Sequence, residues 1–505
     1  MSVAPSPPPS DPLFALCSEV LAKRRLLVVS NRGPLEYTLG ADGHLIPHRG
    51  GGTVVTALSY LLSRFPFTWI ASALGEGDRK LVEQNPEGRV RSPLPGHKVT
   101  VRFVATHRRV YHKFYNILCN PLLWFLHHYM WSAPHTPTVD AVVWDAWETG
   151  YVLVNKAFAD AVVAEIRQDP RPCLVSLHDY HLYLVPPQVR AAAPDAVLHY
   201  LTHLPWPEPR MWQMLPRPMR EAIFQGLAAC HIVGFQTRTD MLNFLQGCLL
   251  FLPEAHVDFS QGTVTSQGHT ARVRCYPLTI DAEEVRRIAL SPRAQEYYQR
   301  LSPLCRQHTI VRVDRAEPSK NIVRGFRAYG LLLESHPELR GKTVFLAFIV
   351  SSRTHIRQYE RYMEEVRQVI EQINSAYGTD DWRPILLFEE NNYTQAVAGL
   401  RLYDVLLVNP VSDGMSLVAK EGPVVNEKAG VVVVSETSGA YEQLKEGALA
   451  VAPADVEGTA RAFYQALTMS PGERQRRASL LRQAVERYDQ QRWLQQQLTD
   501  LLPLL

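Results

Sequence analysis

The sequence predicts an α/β protein built from two doubly wound domains that face a central cleft. Three observations carry this prediction. Apolar runs of strand length alternate with helix-like segments along most of the chain, the pattern of parallel sheets covered on both faces. The alternation restarts after "IDAEEVRRIALS", so there are two series rather than one. And 505 residues exceed what a single hydrophobic core ordinarily organises.

The N-terminus, "MSVAPSPPPSDP", lacks the basic region and apolar core of a secretory signal. Its Pro and Ser content reads as a disordered tail, assigned to residues 1–20, although an apolar pattern begins near Leu13. "RRLLVVSNRG" is a buried strand running into a polar loop. "GGGTVVTALSYLLSRF" reads as a Gly turn, a Thr cap and a helix. Further strands are expected at "TWIASAL", "AVVWD", "CLVSLHD", "VLHYLTHLPW", "HIVGFQT" and "RVRCYPLTID", with helices such as "GYVLVNKAFADAVVAEIRQ" between them. These make a first domain over 21–280. The second, over 281–480, continues with "TIVRVDR", "TVFLAFIV", "PILLFEE", "VLLVNP" and "GVVVVSE". Within 481–505, "QRWLQQQLTDLLPLL" reads as an amphipathic helix able to pack back on the first domain.

The charge balance narrows the function. Lys and Arg number 53 against 50 Asp and Glu, a net charge of +3, which argues against a nucleic-acid partner held by bulk electrostatics. An anion recognised here is small and met by a local cluster. The 7 cysteines are scattered, odd in number and without a CxxC pair, so buried free thiols in a reducing cytoplasm are expected. No apolar run reaches the length of a membrane span.

The expected strands end in conspicuous polar groups: Arg32; His178, Asp179 and His181; His203; Arg315 with Lys320; Arg353; and Asp413. A doubly wound sheet places its ligand at that end, and several of these groups are cationic, which suits a phosphate-rich ligand. In "SDGMSLVAKE", Asp413 and Gly414 make a turn and a helix is expected from Met415 or Ser416. Free N–H groups there suit a phosphate. Glu421, further along, could reach ribose hydroxyls. The plainer reading makes Asp413 a cap and Glu421 a solvated helix residue. Gly50 to Gly52 precede a helix and would let backbone approach a ligand, or they are simply a Gly-rich turn. They match neither a Walker loop nor GxGxxG. His178 and His181 could ligate a metal, but no HExxH is present, and Asp179 accepting from sugar hydroxyls fits better. No GxSxG elbow points to a Ser nucleophile. "HKFYNILCNPLLWFLHHYMW" reads as a core helix, or as a site in which Tyr115 and Trp124 stand among Asn116, Asn120 and two His.

Together these motifs resemble the trehalose-6-phosphate synthase family, retaining glycosyltransferases with two Rossmann-like domains of GT-B type. "SNRGP", "GGGTVVTAL", "YNILCNPLLW", "HDYHLYLVP", "THLPWP", "GFQTRTDMLNFL", "RAEPSK", "SSR" and "DGMSLVAKE" occur in the family's order between about Leu26 and Leu501. The resemblance implies that Arg32, Tyr115, Trp124 and Arg353 hold the phosphate of glucose 6-phosphate. It implies that Gly52 approaches the donor and that Asp179 and His203 contact the reacting sugars. Arg315 and Lys320 would bind the nucleotide diphosphate, completing a catalytic set with Asp179 and His203. Asp413 would contact the donor glucose, Met415, Ser416 and Leu417 would lie near the diphosphate, and Glu421 would bind ribose. The implied substrates are UDP-glucose or GDP-glucose and glucose 6-phosphate, with no metal or other cofactor, no nucleic acid and no membrane. A homo-oligomer is compatible with it.

The departures point to a divergent branch. The family usually has Asp-Tyr-Ser-Lys-Gly where this chain has Glu317, Pro318, Ser319, Lys320 and Asn321. It usually has Asn at Ser416, Gly at Thr279 and, in "FGWSG", Trp at Ser72. "VVNEKAGVVVVSETSGA" resembles the validoxylamine-phosphate-synthase-like pseudo-glycosyltransferases, which join cyclitols through a C–N bond. That relative lacks the acceptor Tyr, whereas Tyr115 and Trp124 are both present here. The alternatives to trehalose 6-phosphate synthesis are that reaction, glucosylglycerol-phosphate synthesis, and a catalytically weak sugar-nucleotide sensor.

Overall fold

The computed structural model describes residues 11–131, 137–353 and 356–505. They divide into two compact units, one holding the described residues up to Pro277 together with Gln491–Leu505, the other Leu278–Gln490. The expected boundaries at 280 and 480 thus move to 277 and 490.

The first unit contains β1 (Arg25–Val29), β2 (Leu35–Leu39), β3 (Leu45–Arg49), β4 (Thr68–Ser72), β5 (Arg89–Arg91) and β6 (Thr100–Val104). It continues with β7 (Cys173–His178), β8 (Val197–Leu201), β9 (Ile232–Phe235), β10 (His256–Asp258), β11 (Thr263–Ser266) and β12 (His269–Cys275). A 10-stranded sheet runs β10-β11-β12-β9-β8-β7-β1-β4-β6-β5. Its span from β12 to β6 is parallel, and antiparallel strands finish both edges. β2 and β3 form a separate hairpin. The order reverses between β1 and β7, so the loops leaving these strands diverge and open a crevice at their carboxyl ends.

Three local expectations are corrected here. Residues 12–20 are not a tail: Pro12–Lys23 is a helix, capped where Asp11 Oδ1 accepts from the N–H groups of Leu13 at 3.0 Å and Phe14 at 3.1 Å. Leu13, Cys17 and Val20 recur at helical spacing and are buried, an apolar stripe that outweighs the Pro-rich lead-in. Residues 1–10 of the expected tail lie outside the described residues. "AVVWD" is not a strand but lies in the helix Ala141–Ala146, because Asp140 caps the N–H groups of Val142 and Val143. And Gly52, not a Thr, holds the cap position before Thr53–Ala57.

The C-terminal helix Gln490–Leu501 buries Trp493, Leu494, Leu498 and Leu501. Trp493 Nε1 donates to the Tyr276 carbonyl at 3.2 Å, and the Tyr276 hydroxyl donates to Asp500 at 2.7 Å.

The second unit holds β13 (His308–Arg315), β14 (Thr343–Val350), β15 (Ile385–Phe388), β16 (Val405–Val408), β17 (Val431–Ser435) and β18 (Leu449–Val451). All pair in parallel, in the order β15-β14-β13-β16-β17-β18. The strands are near-continuous apolar runs, as burial on both faces requires. Phe326, Phe345 and Phe463 anchor the core between the sheet and its helices. The order reverses between β13 and β16, which sets a second crevice beyond those strands.

Candidate active site

In the second unit, the loops after β13 and β16 meet at the reversal. β13 ends on Arg315, and a short 3-10 turn, Pro318–Lys320, leads into the helix Ile322–Ser335. Asn321 closes the turn at φ 59°, in the left-handed region that Asn tolerates better than most residues. Its side-chain amide donates to the carbonyls of Asn409 at 2.9 Å and Pro453 at 2.7 Å, which ties the two loops together. Arg312, fully buried on β13, braces them from below. It donates to Asn409 Oδ1 at 2.8 Å, to Asp314 at 2.7 Å and to the Lys320 carbonyl. The motif reading passes over Arg312; its signal is an arginine inside the apolar run "TIVRVDR".

Lys320 Nζ lies 2.6 Å from Asp413 Oδ2. Burial works against the charge on Lys320, but Asp413, Asp314 and Glu317 outweigh it and hold its pKa above the ordinary lysine value. Lys320 is therefore cationic at neutral pH. Glu317, 1% exposed, brings two arginines to one oxygen: Oε1 is 2.8 Å from Arg353 Nη1 and 3.5 Å from Arg315 Nε. Ser352 Oγ donates to the same oxygen at 3.2 Å. Glu317, noted in the sequence only as a departure, is thus the anchor of the cation cluster. The side chain of Arg315 is 59% exposed and that of Arg353 is 13% exposed, so Arg315 is the one presented outward.

The helix after Asp413 begins later than expected, at Val418, with Leu417 in the cap position. Ser416 sits at φ 44°, which a helix cannot contain, so Met415 to Leu417 form a turn rather than a first helical turn. Ser416 Oγ donates to Asp413 Oδ2 at 2.5 Å. Met415 is buried, so this turn offers backbone rather than that side chain to a ligand. Burial pushes the Glu421 carboxyl up to about 7, against a 3.0 Å hydrogen bond from the Tyr393 hydroxyl. Its neighbour Lys420 is buried and donates to the Leu278 carbonyl at 2.5 Å. Burial lowers the Lys420 pKa to about 7.

In the first unit, the loop after β1 carries Asn31, whose Oδ1 accepts from Ser72 Oγ at 2.9 Å and the Tyr111 hydroxyl at 3.2 Å. Ser72 ends β4 and so locks this loop from within. Arg32, the next residue, is exposed. Gly50 packs so closely on the loop that a Cβ there would fall 2.0 Å from the Gly33 carbonyl. Gly52 stands at φ 131°, exposed, with open space where a Cβ would point.

Tyr115 lies on a π-helical stretch, Lys113–Leu123, a geometry frequent at functional sites. Its ring stacks between Tyr111, at 5.6 Å, and His181, at 5.9 Å, which joins it to the "HDYH" loop. Trp124 is not part of this group. It is 2% exposed and stacked on His128 at 4.0 Å, a core residue as the plainer reading of that stretch has it.

β7 ends at His178, and Asp179 turns the chain at φ 74°. The strained residue is held from several sides. Its N–H donates to the Leu201 carbonyl at 2.9 Å, its carbonyl accepts from the Tyr200 hydroxyl at 2.6 Å, and its Oδ1 accepts from the His203 N–H at 3.3 Å. His178 Nδ1 lies 3.1 Å from His203 Nε2, and His178 Nε2 lies 3.2 Å from Ser176 Oγ. Both ring nitrogens of His178 are committed, so the metal reading of His178 with His181 loses its first ligand. Burial holds His178 well below, and His203 below, the ordinary histidine pKa, with Asp179 partly offsetting the shift of His203.

A family model described as Glycosyltransferase family 20 matches residues 24–502. Validamine 7-phosphate valienyltransferase of Streptomyces hygroscopicus subsp. jinggangensis is 29% identical over 482 residues, covering 95% of this chain and 93% of its own. The UDP-forming alpha,alpha-trehalose-phosphate synthase of Botryotinia fuckeliana is 30% identical over 485 residues, covering 94% and 88%. Among solved structures, the UDP-forming alpha,alpha-trehalose-phosphate synthase of Burkholderia xenovorans in complex with glucose-6-phosphate matches with a TM-score of 0.80. It is 26% identical, over 94% of this chain and 99% of that one. The paired doubly wound sheets are those of a GT-B glycosyltransferase, and the chain belongs to glycosyltransferase family 20.

Proposed function

We propose that the protein transfers glucose, with retention, from a nucleoside diphosphate glucose to glucose 6-phosphate, forming trehalose 6-phosphate. The observation that carries this reading is the gathering of Arg315, Lys320, Asp413 and the Met415–Leu417 backbone where β13 and β16 diverge. As the glycosidic bond of the donor breaks, negative charge grows on the leaving diphosphate. Cations and N–H groups already fixed around it favour that transition state. Asp413 and Glu421 flank the Met415–Leu417 backbone, where carboxylates accept from glucose and ribose hydroxyls. The departing phosphate oxygen takes the proton of the acceptor hydroxyl on the same face, so configuration is retained without a protein nucleophile. This reading requires neither metal nor cofactor.

The UDP-forming relatives support UDP-glucose as donor, with GDP-glucose the alternative. A relative solved with glucose-6-phosphate supports a sugar phosphate as acceptor, for which Arg32, Tyr115 and Arg353 are the groups assigned. A cytoplasmic location fits the free thiols. The similarity to a validamine 7-phosphate valienyltransferase favours a second reading, C–N bond formation with an amino-cyclitol phosphate. A donor-by-acceptor activity matrix with product mass analysis decides between them. Trehalose 6-phosphate from UDP-glucose and glucose 6-phosphate is the expected product. Turnover confined to an amino-cyclitol acceptor would replace the first reading with the second.

A further inference from the structure

We propose that His199, Ser176 and His178 act as positioning residues: a hydrogen-bonded chain that fixes the proton of His203 on Nδ1, making that ring a donor to the sugars. The inference rests on the placement of His203 beside the reacting sugars.

Ser176 and His178 are two apart on β7 and so share one face of the sheet. His199 is the register partner of Ser176 on β8. The contacts form an unbranched series. His199 Nδ1 lies 3.4 Å from Ser176 Oγ, Ser176 Oγ 3.2 Å from His178 Nε2, and His178 Nδ1 3.1 Å from His203 Nε2. Both ends are open: His199 Nε2 and His203 Nδ1 are buried and have no hydrogen-bond partner among the described residues. Burial keeps all three rings neutral at physiological pH, so each carries one N–H.

Proton counting then couples the ends. With the serine proton used inside the chain, two arrangements satisfy every link. In one, His199 Nδ1–H donates to Ser176, Ser176 donates to His178 Nε2, and His178 Nδ1–H donates to His203 Nε2. His203 then carries its proton on Nδ1, and His199 Nε2 is a bare lone pair. In the other, every link reverses: His199 Nε2 carries a proton and His203 Nδ1 is bare. The surroundings of His199 choose between them. Its end of the chain opens on an apolar cavity lined by Val20, Val28, Leu61, Leu174 and Leu498. Gln497 also lines that cavity, but neither it nor any other described residue hydrogen-bonds His199 Nε2. Either arrangement leaves one buried N–H without an acceptor among the described residues. At His199 it would face that largely apolar cavity, so with ligand bound the lone pair belongs at His199 and the donor at His203. At the strand end, a ligand oxygen can accept that N–H.

The test is a long-range proton–nitrogen NMR spectrum of the full-length protein with labelled histidine, the His203 ring assigned through H203Q. In the wild type with UDP and glucose 6-phosphate added, His203 is expected to be protonated on Nδ1 and bare on Nε2. S176A should abolish that preference and lower kcat about tenfold or more with little change in KM; S176T, which restores the hydroxyl, should recover both. A wild-type His203 protonated on Nε2 overturns the proposal, and so does an S176A ring with the wild-type tautomer. If the serine variants do not fold, the wild-type spectrum, assigned through H203Q, still decides. It also decides independently of the transfer reaction: failure of the activity matrix would leave this measurement standing, and the reverse.

Discussion

At the end of β13 and in the loops that follow β13 and β14, Arg315, Arg353 and Lys320 each meet a carboxylate. Lys320 meets Asp413, and Arg315 and Arg353 meet Glu317. Arg315→Ala or Lys320→Ala is expected to lower kcat about 10²–10³-fold, the usual cost of losing one group that stabilises transition-state charge. Rapid-quench turnover near wild type in either variant would remove the diphosphate assignment. Glu421 gives a pH prediction. Its carboxyl is raised to about 7, so the ionised form, the one proposed to accept from ribose hydroxyls, is lost as pH falls through that value, and donor KM should rise with it. The Tyr393 hydroxyl favours the ionised form. Tyr393→Phe should therefore raise the pKa further and move the donor-KM profile to higher pH. A profile that stays in place, or moves to lower pH, would show that Glu421 does not govern donor binding.

At the scale of elements, the stretch from Lys113 to His127 separates a candidate site residue from a core residue within a few turns. Tyr115 stacks on His181, whereas Trp124 fills the interior. Trp124→Ala is expected to cost about 3–5 kcal/mol of stability, read from denaturant unfolding, as for other large buried aromatics. Tyr115→Ala should instead act mainly on acceptor KM. Stability unchanged in the Trp124 variant would contradict its place in the core. These elements also show what the sequence makes legible. Strands such as "TVFLAFIV" and "GVVVVSE" are readable because burial on both faces demands unbroken apolar runs. Arg32, Arg315, Lys320 and Asp413 are readable as candidates because they follow or close such runs at the carboxyl end of a sheet. Less legible is whatever depends on a neighbour distant in the chain. Glu317 matters through Arg353, Arg312 through Asn409, and Tyr393 through Glu421. "AVVWD" has strand composition, but a single Asp cap makes it a helix. Trp124 and Tyr115 look alike in sequence, and only packing tells them apart.

At the scale of the whole molecule, the chain leaves the first unit at Pro277 and rejoins it at Gln491. Trp493, Leu494, Leu498 and Leu501 supply buried surface to a sheet laid down hundreds of residues earlier. Removing residues 491–505 should therefore speed backbone hydrogen exchange in β1, β7 and β8 while leaving β13 to β18 as they are. Uniform exchange across both sheets, or none, would count against this. The same return of the chain orders its birth on the ribosome. The second unit is continuous in sequence and is complete once Gln490 has emerged. The first unit, though synthesised earlier, waits for the final helix, its apolar face open throughout translation of the other. The half that begins first is finished last, so a ribosome stalled before the final helix releases a chain with its second unit made and its first unit unsealed.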